Sequence, residues 1–156
     1  MSRRQSWFAP LVAAAVILGA AACNSDGAAS IAPPLLDVVE DGPVVPVVQV
    51  ETARPGQNLP VLFRNRVNQE FWFNPCERFI ERNVGGTWVR RADELRVCNK
   101  MIYIILPSAD REELVDVPLD VAPGTYRFVF VMMRPTGTGA VSHYPASNTF
   151  EVLPAP

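Results

Sequence analysis

Apolar residues over 44–153 fall in short runs separated by turn signals, and none keeps an i, i+3, i+4 spacing over ten or more residues. That pattern predicts strands, not helices. The first run, VVPVVQVETA at 44–53, contains Pro46, which cannot donate to a strand ladder and so belongs at a sheet edge or a kink. Residues 54–57 read as a turn, 59–67 as a second strand and 70–74 as a third. Gly85-Gly86 supplies two residues that accept positive φ, so 76–92 reads as a hairpin. Its flanks offer Ile80 and Trp88 to the core and Arg78, Arg82, Arg90 and Arg91 to solvent. Residues 95–106 form a long apolar run containing Cys98. In 125–133, Tyr126, Phe128, Phe130 and Met132 alternate on one face of the strongest strand of the chain. Residues 134–147 read as a loop, and 148–153 close the domain with Phe150 and Val152 opposite Thr149 and Glu151. About seven strands with turns at short spacing predict an all-β sandwich, one domain over 44–156.

The N-terminus has a different character. Residues 1–22 carry Arg3 and Arg4 and no acid, and the apolar run 7–22 closes on Gly19-Ala20-Ala21-Ala22. These are the parts of an export signal, and 16 apolar residues fall short of the roughly 20 that cross a bilayer. Ala20-Ala21-Ala22 directly before Cys23 resembles the bacterial lipoprotein signal, or lipobox, although Ala20 stands where that family usually has Leu. The resemblance implies cleavage before Cys23 and a diacylglycerol on its thiol, with the membrane as a partner through that lipid. Two or more acyl chains anchor stably where one does not. An ordinary A-x-A cut that leaves Cys23 as a thiol remains the alternative. SRRQ at 2–5 hints at twin-arginine export against the general route. Asn24 after the cysteine looks like the pattern sorted outward where a cell has two membranes. The expected location is the cell envelope, at the outer membrane or the outer face of the cytoplasmic membrane.

If Cys23 is lipidated, the chain's other two cysteines, Cys76 and Cys98, are left as a pair. A bridge between them closes a loop of about 22 residues and contributes about 3 kcal/mol in the chain-entropy account. Two free buried thiols are the other possibility. Residues 23–43 contain small, proline and acidic residues without a lasting period and read as a flexible linker. Docking of PPLLDVV, 33–39, as an extra edge strand stays open.

Pro123-Gly124-Thr125-Tyr126-Arg127, preceded by Arg82, Gly85-Gly86 and Trp88, is similar to bacterial immunoglobulin-like domains of exported proteins. The resemblance covers about 47–152. It implies a tyrosine corner at Tyr126, whose hydroxyl bonds back to nearby backbone. It departs from antibody domains at Phe128, which stands where the second bridging cysteine would be.

Cleavage before Cys23 leaves 12 Lys and Arg against 16 Asp and Glu, a net of −4, with no basic stripe. Nucleic acid is therefore not an expected partner. The chain has one histidine, His143, and no G-x-S-x-G, H-E-x-x-H or phosphate-loop motif, so neither catalysis nor a cofactor nor a metal is expected. The acidic stretch 108–120 reads as a solvated loop, with calcium binding left open because the regular EF-hand spacing is missing. Phe71, Trp72 and Phe73 cannot all face inward from one strand, so part of this trio is a candidate contact patch. Two functions follow as expectations: a tethered, non-catalytic binding or structural module for an envelope protein or glycan, or an extracytoplasmic protease inhibitor acting through a loop. The second comes by analogy with small inhibitors that share the W…PGxYR layout. Its only long candidate loops are 106–113 and 134–145.

Overall fold

The computed structural model describes residues 38–91 and 100–155. The signal, Cys23, Cys98 and most of the linker lie outside them. The described chain is all-β, with eleven strands and no helix. They are β1 (Val38–Val39), β2 (Val44–Val48), β3 (Thr52–Ala53), β4 (Asn58–Asn65), β5 (Phe71–Val84), β6 (Thr87–Arg90), β7 (Tyr103–Ile105), β8 (Asp110–Asp116), β9 (Gly124–Thr136), β10 (Gly139–Pro145) and β11 (Phe150–Val152).

Two sheets share one apolar core. The smaller has the order β2-β4-β8, all antiparallel. The larger is built on β5 and β9, which pair antiparallel along most of their length. β7 and β6 lie in succession along the far side of β5, and β10 and β11 along the far side of β9. β1 and β3 add short parallel pairings to β10 and β11. Phe63 of β4 bridges the two sheets, its ring 4.6 Å from Phe73 and 4.8 Å from Phe130. Tyr126, Phe128, Phe130 and Met132 are all buried, as their alternation predicts.

The strands outnumber the seven or so expected because the chain changes sheets within runs that look continuous in sequence. The run 44–53 is the clearest case: β2 belongs to the small sheet and β3 to the large one. Pro46 sits on β2, which is an edge strand, as its missing N–H requires. The Asn148 side chain covers part of that edge, its Oδ1 accepting from Val48 N at 2.7 Å and its Nδ2 donating to Val48 O at 3.1 Å.

The hairpin forms at Gly85-Gly86, with φ of 59° and 88°. Side-chain period, however, places Arg78 and Trp88 differently from expectation, and Arg90, whose side chain is only 12% exposed, is likewise withdrawn from solvent. Arg78, Ile80 and Arg82 share parity, so when Ile80 enters the core Arg78 goes with it and is buried. Trp88 pairs with Asn83 on the opposite face and is half-buried there, not in the core. A register shift between Phe73 and Arg78 is what turns odd inward positions into even ones along β5.

Three further expectations are corrected. Of the run 95–106, residues 95–99 lie outside the described residues, and the described part holds the short strand Tyr103–Ile105. The acidic stretch 108–120 contains a seven-residue strand, β8, whose Val115 is buried with Arg111 and Glu113 half-buried on the same side, while Asp110, Glu112, Leu114 and Asp116 face outward. The segment 134–147 is an extension of β9 and a hairpin into β10, not a loop. Residues 38–43 also differ from a flexible linker: Val38–Val39 form the extra edge strand, Glu40 pairs with Arg127, and Asp41 pairs with Arg66.

Candidate functional site

The outer face of the large sheet carries the residues of greatest interest. With Phe71 and Phe73 buried, Trp72 must face the other way. Ile104 of β7 lies directly across from Trp72 on one side and Met133 of β9 on the other. The indole Nε1 donates to Glu70 Oε1 at 3.0 Å, which satisfies the polar atom of Trp72, and the residue as a whole is half-buried. Ile104 is 44% exposed and Ile102 58%. The predicted trio therefore divides: Phe71 and Phe73 are core, and Trp72 is the centre of an apolar cross-strand row.

Farther along the same face, Glu81 of β5 stands in register between Arg127 of β9 and Arg90 of β6. Arg127 donates from Nε to Glu81 Oε2 at 2.9 Å, and Arg90 Nη2 lies 3.3 Å from Glu81 Oε1. A second carboxylate, Glu40, reaches Arg127 Nη1 at 2.7 Å from the turn after β1. Aromatic rings cover these charges: Trp88 lies 4.3 Å from the Arg127 guanidinium and Phe79 lies 4.1 Å from that of Arg90. The side chains of Arg127 and Glu81 are only 8% and 6% exposed. Beside this ladder runs a groove of about 340 Å³ whose walls include Glu40, Arg66, Trp88 and Arg127. Sequence reasoning missed the ladder, although the inward alternation of Tyr126, Phe128 and Phe130 puts Arg127 on the outer face by the same period.

Tyr126 enters the core at the start of β9, and its Oη donates to the Ala122 carbonyl at 2.7 Å, four residues upstream. That is the backward hydroxyl bond expected of this residue, and burial raises the phenol's pKa above its ordinary value. His143 is on β10, facing the core edge with its ring 5.7 Å from Phe71. It helps to line a small apolar niche with Val39, Val44 and Met132. Burial, aided by the Arg134 guanidinium, lowers its pKa. Its Nε2 is buried without a hydrogen-bond partner among the described residues, as suits a neutral imidazole.

Cys76 is not a free thiol. Its expected partner Cys98 lies outside the described residues, as does the lipidation candidate Cys23. No group of three or more His, Cys, Asp or Glu among the described residues is placed to hold a metal ion.

The class defined so far is an all-β, two-sheet, sandwich-like domain. No family model matches the sequence, and no curated protein does. Among solved structures, the crystal structure of Spo0M, a sporulation control protein from Bacillus subtilis, is similar over 74% of this chain and 51% of that one, with 11% identity and a TM-score of 0.37. The chain thus spans about half of that structure's length, and so distant a likeness carries no argument about function.

Proposed function

We propose that this protein is a lipid-anchored, non-catalytic binding or structural module of the cell envelope, with an immunoglobulin-like sandwich held to a membrane through Cys23. The observation that carries the binding role is the apolar row Ile104, Trp72 and Met133, which crosses three strands on a sheet face turned away from the core. Exposed apolar patches on a folded domain mark contact surfaces. An envelope protein or a glycan is the partner class. The immunoglobulin-like assignment draws on the Tyr126 hydroxyl bond and the PGTYR strand, and the anchor draws on the lipobox resemblance. Cys98 is the proposed partner of Cys76. The protease-inhibitor alternative would act through 106–113 or 134–145, segments that contain part of β8 and the β9–β10 hairpin.

The test takes protein extracted with detergent from its native membrane without reductant. An intact mass equal to the chain from Cys23 plus acyl groups, less two hydrogens, supports the anchor and the bridge together. A photo-cross-linker at Ile104 should then capture a defined partner that one placed at exposed Glu51 does not. An unmodified mass that starts elsewhere refutes the anchor, and equal capture at both positions refutes the contact surface.

A further inference from the structure

Sheet edges are where a β domain is most open to pairing with another chain, and most edges here are blocked. β2 carries Pro46 and the Asn148 side chain. β8 presents Asp110, Arg111, Glu112, Glu113 and Asp116. β3, β6 and β7 are two to four residues long. β10 differs. It runs for seven residues, GAVSHYP, with no Asp, Glu, Lys or Arg, and its single histidine points into the apolar niche. β1 covers only Tyr144 and Pro145, so among the described residues 139–143 have β9 on one side and no strand on the other.

The backbone direction on that free side follows from neighbouring bonds. Ser147 N–H reaches Phe128 of β9, whereas Ala146 N–H turns away to Val39 O. Counting back in alternation, Ala140 and Ser142 also turn their N–H and C=O groups away from β9.

We propose that two copies of the chain pair through antiparallel β10 edges about a two-fold axis at Val141, making one continuous sheet. The outward residues fix the register: Ala140 of one copy faces Ser142 of the other, and the reverse, which makes four backbone hydrogen bonds. Val141 then faces its own counterpart as a close, non-hydrogen-bonded pair. A strand that meets itself antiparallel sets each central residue against its twin, so any charge there would repel. β10 satisfies this condition and β8 does not. The contact is short, well below the roughly 1,200 Å² of a stable interface. The proposal therefore rests on the membrane-tethered reading, in which confinement raises the effective concentration of copies.

The experiment uses the full chain in its native membrane with V141C. The predicted pair places the two Cα atoms about 4.5 Å apart, within disulfide range. Mild oxidation should yield dimer at least about tenfold faster from V141C than from T138C at the exposed hairpin tip, as expected of a preformed pair. Co-expressed A140C and S142C chains should cross-link where neither does alone, and V141K should suppress that link. Equal rates at Thr138 and Val141 overturn the proposal. So does an intramolecular link in L35C/V141C, which would make the preceding segment of the same chain the occupant of this edge. Intact mass on the same sample separates the failures: lipidated chains that do not cross-link refute the pairing alone, whereas unlipidated chains refute the tether.

Discussion

Replacing Glu81 by Gln isolates the charge at the centre of the outer-face ladder, because the amide keeps the shape and one acceptor oxygen. Glu81 neutralises two guanidinium groups, and its side chain and that of Arg127 are both more than nine-tenths buried. Removing one partner of a buried pair costs about 3–5 kcal/mol, chiefly because the other charge is left uncompensated. Arg127 retains Glu40 and the amide oxygen still accepts, so the expected loss for E81Q is about 2–4 kcal/mol. For a domain near 100 residues that corresponds to a fall in Tm of about 10–20 °C. Urea melts monitored by tryptophan fluorescence measure it, with E40Q as internal comparison. Glu40 is 75% exposed, so E40Q should cost no more than about 1 kcal/mol. The double variant E81Q/R127M should recover part of the E81Q loss, since it removes the stranded charge with its partner. A loss under about 0.5 kcal/mol for E81Q would refute the view that this ladder is a desolvated structural clamp.

Three other outcomes are expected. Y126F removes the bond to Ala122 with little change in volume and should lower unfolding free energy by about 0.5–1.5 kcal/mol in the same melts. F63A opens a cavity between the sheets and should cost about 3–5 kcal/mol, seen as a shifted urea midpoint at unchanged slope. His143 has a lowered pKa in the fold, so the unfolded chain binds its proton more readily; this contribution to stability is complete above the ordinary value of 6.5 and is lost as pH falls from there through the folded value. Comparison of the wild type with H143F at pH 8 and pH 5 should show the smaller acid loss in H143F, and identical losses would refute the assignment.

How much of this was legible in sequence depends on whether a position obeys local period or distant pairing. The alternation of Tyr126, Phe128, Phe130 and Met132 is a local property, and the core follows it. So does the Gly85-Gly86 turn, where positive φ at both positions suits residues without a Cβ. Arg78 defeated a composition-based expectation. Its length lets the guanidinium reach Asp116 of the other sheet at 2.7 Å, so an inward position holds a charge that composition assigns to solvent. β8 was obscured because an edge strand with one inward face needs only a few apolar residues, and its charges protect the edge. The outer-face row could be half foreseen: FWF guarantees that one side is apolar and outward, but only the pairing of Ile104 and Met133 with Trp72 extends it across three strands.

The first described strands take partners from the last described residues. β1 pairs with Tyr144 and Pro145, Val48 is held by Asn148, β3 pairs with Glu151 and Val152, and Arg54 donates to Pro154 O. A chain that lacks residues 144–154 therefore loses the partners of β1, β3 and the Val48 backbone. The long loops to be closed place the domain among the slower, millisecond-to-second folders. Loss of even a few residues from 150–155 thus acts on both ends of the described domain at once.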